Sequence, residues 1–478
     1  MNDYSIFEGL RIWQDARTGA LPAVLMLLTL PAFLILPARF APPLFLIASL
    51  SFLSLLAGVV FAAALVAVAL LGHLLTEAVA AMQPGNARRV AFAAVWLLLH
   101  AAFFAAFELP VPTGIRQMNP GPHNVAGMFL FFSGIALTFF RIVAYLHDRV
   151  RRGLPRLSPF DFLLYNFWFP QLLHGPLERP ADAVEKLKAA RAAWTPWDLW
   201  MGGRRIALAF FLAWLVWSGA RNLAAISKAK PLPAPSTAEA TSVVGPGFAA
   251  LQARVSDSAE FLRNEDIASL ANFFSAPEKM PLWLFLLVLH LITFGLYWIE
   301  ITWAHLTLGV SRVFGFVGSE AYNFPLLSAS PREWWTRWNI TLSQWLRDYC
   351  FTPIGGARRN FHLNMSVTFL YCGILHGLQW RFIVWGVWSA ITIAGGHWLM
   401  ERIKERLYPD GKGGIKKRRK PANAPLSLGE RLWLYTRRLL TFHWAAISGV
   451  IIADQNHCGL RVLQYYCYLL AWPIRVWL

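Results

Sequence analysis

The chain has 478 residues, of which 56% are hydrophobic and only 15% charged, and its formal net charge is +18. A soluble protein carries roughly a quarter charged residues, whereas here apolar runs reach the ~20 residues needed to cross a hydrocarbon core. That excludes a soluble globular class, the lack of short alternating segments excludes a membrane β-barrel, and the fold class is all-α, a multi-pass integral membrane protein. The basic residues sit in loops beside the apolar runs, which points to orientation by the positive-inside rule and to no nucleic-acid partner.

Residues 1–19 read as an amphipathic segment on the membrane surface, with Phe7, Leu10, Ile12 and Trp13 among charged residues. No basic region leads into a short apolar core, so no cleavable signal peptide is expected. The first span is placed at 20–36. The run from Pro43 to Ala81 is too long for one span and reads as two connected helices, or one span plus a tilted re-entrant piece. Further spans are expected at 90–109 and 125–146, the latter ending in the basic cluster His147 to Arg152. Residues 158–180, interrupted by Pro170 and Pro176, are too short and broken for an ordinary span and read as a re-entrant element.

An amphipathic cytoplasmic region is expected at 181–204 and a span at 206–224. A polar outward loop follows over 225–279, flexible at its start and with a short helix near 248–271. Spans are expected at 281–309, 363–378, 382–400, 432–453 and 460–477. The charge run over 401–420, with Lys416 to Lys420, marks the cytoplasmic side. There is no internal repeat, which weighs against a transporter built from inverted repeats. Cys350, Cys372, Cys458 and Cys467 form no Cys-x-x-Cys pair and read as reduced thiols, not a zinc site.

Charge, rings and histidine crowd together between Asn323 and Trp380. His376 lies within an apolar segment, where an ionisable side chain is costly unless it is paired or functional. The alternative is a histidine bonding a carbonyl across helices, and His73, His100, His290 and His397 take that reading more readily. Upstream, Trp334, Trp335, Trp338 and Trp345 fall within one expected helical stretch with Arg337, Arg347 and Asp348. An interfacial aromatic belt would account for the rings. It would not account for Asn339, Ser343 and Arg347, whose four-residue spacing sets them on one helical face, a polar stripe suited to lining a cavity. Pro353-Ile-Gly-Gly356 then gives a tight turn.

Asn323-Phe-Pro, Trp334-x-x-Arg-Trp-Asn-Ile-x-Leu-Ser-x-Trp-Leu-Arg-Asp-Tyr and Pro353-x-Gly-Gly resemble the signature of the membrane-bound O-acyltransferase (MBOAT) family. The likeness is to its bacterial branch of alginate O-acetyltransferases and teichoic-acid D-alanyl transferases. Phe167-Trp-Phe-Pro-Gln-Leu-Leu-His-Gly-Pro and Phe139-Phe-Arg-x-x-x-Tyr-Leu-x-Asp are similar to two further elements of that branch. The resemblance spans about 125–400 as a catalytic core, with N-terminal helices over 1–124 and a basic loop plus last helices over 401–478. It implies tilted helices around a tunnel, with an acyl thioester entering from the cytoplasm and the acceptor from the other side. It also implies that His376 is the catalytic histidine and that Asn339 holds the second polar catalytic position, often histidine in the polysaccharide-modifying branch. Ala304-His305 stands where the branch has Ser-Asp, and His174 where a small residue is usual.

The expected chemistry is acyl transfer to a hydroxyl of an extracytoplasmic envelope glycan. His376 acts as general base, and Asn339 positions the acceptor or donates to the oxyanion. Trp335, Arg337, Trp338, Ser343, Trp345, Arg347, Asp348, His174 and His305 are the candidate substrate-binding residues. No permanently bound cofactor and no metal site, at His376 or elsewhere, are expected; the co-substrate is acyl-CoA or an acyl carrier protein, an acidic partner for the basic cytoplasmic face. An accessory acyl-transfer protein on the acceptor side is a further expected partner. Alternatives are a protein or lipid acceptor, or a proton-coupled transporter.

Overall fold

A computed structural model describes residues 16–108, 125–172, 174–228, 282–407 and 427–453. The expected helices near 248–271 and 460–477, and the amphipathic segment up to residue 15, lie outside the described residues. Within them the protein is helical and without strands. Among the described residues five helices are long and apolar enough to cross a membrane, within Ala38–Leu55, Val59–Ala81, Asn86–Ala106, Phe285–Val313 and Trp380–Ile403.

The long apolar run after Pro43 is two helices, α2 (Ala41–Ala57) and α3 (Val59–Ala81), following α1 (Ala16–Ile35). Gly58 joins them at φ 88°, a conformation that glycine reaches without a Cβ clash. Then come α4 (Asn86–Glu108) and α5 (Val125–Arg151). Helices α3 and α5 are fastened by Glu77, which accepts from the Tyr145 hydroxyl at 2.5 Å and pairs with Arg149 at 3.1 Å.

The broken segment holds α6 (Pro159–Phe167) and a single 3-10 turn, Phe169–Gln171. Irregular backbone at membrane depth must find partners in protein, and here it does. Phe169 N donates to Ser49 Oγ at 3.0 Å, and Trp168 Nε1 to Ser311 Oγ at 3.2 Å. Arg141, buried on α5, donates to the Asn166 carbonyl at 2.5 Å.

Helix α7 (Pro180–Ala193) is followed by α8 (Pro196–Lys228), so the expected division between an amphipathic region to 204 and a span from 206 is not where the chain breaks. The break is at Thr195. Its N–H donates to Asp198 at 2.7 Å, a capping arrangement, and Pro196 disfavours helix in the residue before it. Of the expected stretch 281–309, residues 282–309 belong to one helix, α9 (Leu282–Val313). Helices α8 and α9 pack closely where a Cβ on Gly202 would lie 2.6 Å from the Gly309 carbonyl oxygen.

The stretch read as one helix with four tryptophans is two short ones, α10 (Pro331–Trp335) and α11 (Ile340–Leu346), followed by a π turn at Arg347–Phe351. Asn339 breaks it with φ 39°, the left-handed region that asparagine tolerates better than most residues. The expected single helix through the four tryptophans is therefore corrected; Asn339, Ser343 and Arg347 stay linked at four-residue steps, Ser343 N donating to the Asn339 carbonyl at 2.9 Å and Arg347 N to the Ser343 carbonyl. Ser330 starts α10 by accepting from Glu333 N at 3.1 Å, while Glu333 accepts from Ala329 N at 2.9 Å.

Helices α12 (Phe361–Leu375) and α13 (Trp380–Ala390) form a tight pair. A Cβ on Gly373 would meet the Phe382 carbonyl oxygen at 2.3 Å, and one on Gly386 the Phe369 carbonyl oxygen at 3.0 Å. A π turn at Ile391–Gly395 leads into α14 (Gly396–Leu407), and α15 (Leu428–Ala453) packs on α9 and α13.

Candidate active site

Helix α12 delivers His376 at its C-terminal cap. The ring's Nδ1 lies 2.7 Å from the Cys372 carbonyl oxygen. A carbonyl only accepts, so Nδ1 carries the proton and the neutral ring keeps its lone pair on Nε2. Nε2 has no protein partner among the described residues. His376 lies deep in the body of the protein, yet its surface is exposed. Many atoms surround the ring, yet part of its surface is open.

An aromatic wall stands beside that ring. Trp385 is 5.4 Å and Phe382 5.9 Å from it, centroid to centroid. Trp335 packs on Trp385 at 5.7 Å, which brings α10 against the same wall. Trp385 is fixed from behind by its Nε1–H, which donates to Ser448 Oγ on α15 at 2.9 Å.

Glu300, on α9, is the acidic member of the site and was not among the sequence candidates. It lies deep, with a half-buried side chain, and within electrostatic reach of His376. The Tyr322 hydroxyl donates to its Oε2 at 2.5 Å and His174 Nε2 donates to the same oxygen at 2.7 Å. Oε1 has no protein partner among the described residues. The signal in the sequence was an acidic residue inside the apolar run Tyr297-Trp-Ile-Glu300-Ile, expensive there unless paired or used. Tyr322 gave no such signal, since a tyrosine before Asn323-Phe-Pro is ordinary in composition.

Asn339 is brought to this cluster by backbone pairing. Asn323 N donates to the Arg337 carbonyl at 2.9 Å, and Ile340 N to the Ala321 carbonyl at 2.8 Å, so the residues flanking Tyr322 are held against those around Asn339. The half-buried Asn339 side chain makes no hydrogen bond among the described residues. Trp338 stacks on Trp334 at 5.4 Å and meets Tyr322 edge-on at 5.3 Å. Leu177, just beyond His174, donates its N–H to Thr341 Oγ1 at 3.2 Å, which ties the His174 segment to α11.

The other candidates are placed elsewhere or are engaged. Trp345 is buried, and its indole N–H donates to the Phe140 carbonyl at 3.0 Å, a packing contact. Ser343 lies one turn into α11, its hydroxyl 3.4 Å from the Trp338 carbonyl. Arg337 pairs with Glu333 at 3.0 Å. Arg347 is exposed and pairs with Asp348 at 2.8 Å, a bond that raises its pKa further. Asp348 also pairs with Arg179. His305 lies on α9 near Arg205 and Glu320, and its Nδ1 is buried without a hydrogen bond. Among the described residues one group has metal-ligand types at close range, His362, His397 and Glu401, apart from His376.

A multi-pass helical membrane protein with a deep yet exposed histidine at the end of an apolar helix is the class these features define. Residues 267–405 match the family model described as MBOAT, membrane-bound O-acyltransferase family. The probable alginate O-acetylase AlgI of Azotobacter vinelandii is 28% identical over 193 residues, 36% of this chain and 35% of that protein. The peptidoglycan O-acetyltransferase of Helicobacter pylori is 30% identical over 105 residues, 21% of this chain and 20% of that one. The teichoic acid D-alanyltransferase of Bacillus subtilis is 28% identical over 96 residues, 18% of this chain and 24% of that one. The matched stretch spans about a third of the length of the Azotobacter relative and less of the other two.

Proposed function

We propose that the protein is an O-acyltransferase that moves an acetyl or other short acyl group from a cytoplasmic thioester, acyl-CoA or an acyl carrier protein, to a hydroxyl of an extracytoplasmic envelope glycan. The bacterial inner membrane is its proposed location. The observation that carries the reading is the deep, exposed His376 with its lone pair on a free Nε2, set beside Glu300. The relatives named for acylating alginate, peptidoglycan and teichoic acid support the acceptor class.

In this reading Nε2 takes the proton of the acceptor hydroxyl as its oxygen attacks the thioester carbonyl. The Cys372 carbonyl holds the ring in the required tautomer, and the Glu300 carboxylate stabilises the imidazolium as it forms. The Asn339 amide donates to the developing oxyanion or orients the acceptor. Collapse of the tetrahedral intermediate expels the thiolate, which takes the proton from the imidazolium. The products are the acyl ester and the free thiol.

The test uses purified full-length protein with labelled acyl thioester, following thiol release and label in isolated envelope glycan, protein and lipid fractions. His376→Gln should retain the wild-type melting temperature and lose thiol release by ~10³-fold or more. Wild-type rates in the folded variant would overturn the reading. Label appearing in protein or lipid alone would overturn the glycan acceptor while leaving the acyl transfer intact.

A further inference from the structure

Helix α14 carries His397 and Glu401 four residues apart, on one helical face. His362, the second residue of α12, comes to meet them. One ligand atom from each of the three lies within 4.8 Å of the other two. The π turn at Ile391–Gly395 sits just before α14, and such turns often mark functional positions.

A neutral His362 ring leaves one of its two contacts unfilled. Its Nδ1 faces the Ala394 carbonyl oxygen at 3.1 Å, and its Nε2 faces Glu401 Oε2 at 2.9 Å. Both partners only accept, and a neutral imidazole has a single N–H to give. With a metal on Nε2 the proton sits on Nδ1 and donates to the Ala394 carbonyl, the backing that metal-bound histidines receive. His397 Nδ1 adds a second unfilled position: it is buried with no hydrogen bond and stands 3.5 Å from the same Oε2. Phe361 packs on the His397 ring at 5.0 Å, and the two imidazoles are 5.4 Å apart, which holds them in place.

We propose that His362 Nε2, His397 Nδ1 and a Glu401 carboxylate oxygen bind a divalent transition-metal ion, best suited to zinc. Tetrahedral zinc at ~2.0–2.1 Å from each ligand sets ligand atoms roughly 3.4 Å apart, close to the 3.5 Å between His397 and Glu401. Two imidazoles and a carboxylate are a zinc donor set, with the fourth position open to water. The exposed Glu401 can turn so that its oxygen widens from the 2.9 Å it keeps to His362 Nε2 to that spacing. The ion ties α14 to the start of α12, the helix that ends at His376. It is a fastening of the scaffold and takes no part in acyl transfer, so the proposal stands apart from the function proposed above.

The test uses the full chain purified in detergent without a polyhistidine tag, incubated with zinc chloride and desalted. Zinc is counted by mass spectrometry, and melting is followed with and without a chelator. Wild type should retain about one zinc per chain and melt lower after chelation. His397→Ala and Glu401→Gln should each retain less than about a tenth of that and melt alike with and without the chelator. Glu401, being exposed, keeps the test valid if His397→Ala does not fold. Zinc at background in wild type would overturn the proposal, since a proton then completes His362. Equal zinc in wild type and variants would overturn it too.

Discussion

The Tyr322 hydroxyl donates a hydrogen bond to Glu300 at 2.5 Å while its chain neighbours Ala321 and Asn323 are hydrogen-bonded to Ile340 and Arg337, on either side of Asn339. One residue therefore links the carboxylate near His376 to the amide proposed to act with it. Tyr322→Phe keeps the ring that meets Trp338 and removes only the hydrogen bond. Thiol release should fall about 10-fold, mostly in kcat, with a melting temperature within a few degrees of wild type. An unchanged kcat would show that Glu300 needs no such orientation.

Glu300→Gln tests the charge itself. The amide is nearly isosteric and can still accept from Tyr322 and His174, so the fold should hold. The imidazolium at His376 would lose its nearby anion, and kcat should fall about 10²-fold with little change in KM. Kinetics on the detergent-purified variant decide this, and a KM effect alone would reassign Glu300 to substrate binding.

At position 339 the backbone and the side chain must be separated. Asn339 is left-handed at φ 39°, so Asn339→Ala deletes the amide and also strains the turn by about 1 kcal/mol. Asn339→Gly deletes the amide alone and accepts that conformation. Both should lose activity, roughly 10-fold to 10²-fold and less than His376→Gln, while the alanine variant melts lower than the glycine one. Equal activity of Asn339→Gly and wild type would remove the amide from the mechanism.

The membrane class and most helices were legible because apolar length and charge are local properties. The division at Gly58 was half legible: the run was too long for one span, and the glycine set the place. The site was less so. His376 stood out as an ionisable group in an apolar segment, and by the same rule Glu300 should have. Its contacts come from residues 126 and 22 positions away, His174 and Tyr322, and no spacing rule connects them. The single helix expected through the four tryptophans misled because periodicity assumes an unbroken helix, and the left-handed residue at 339 breaks it between Trp338 and Ile340.

Gly373 stands three residues before His376 and has Phe382 backbone where a side chain would go. A methyl group there would sit 2.3 Å from the Phe382 carbonyl oxygen, and backbone cannot swing aside as a side chain can. Helices α12 and α13 must move apart, which displaces both His376 and its neighbours Phe382 and Trp385. Gly373→Ala should therefore lower the melting temperature, by about 1–3 kcal/mol of overpacking, and also cut thiol release well beyond what the unfolded fraction accounts for. Gly395→Ala is the control, since nothing lies within 4 Å of a Cβ there. It should match wild type in both assays, and a Gly373→Ala protein as stable and active as that control would show that the close approach of α12 and α13 does not position the histidine.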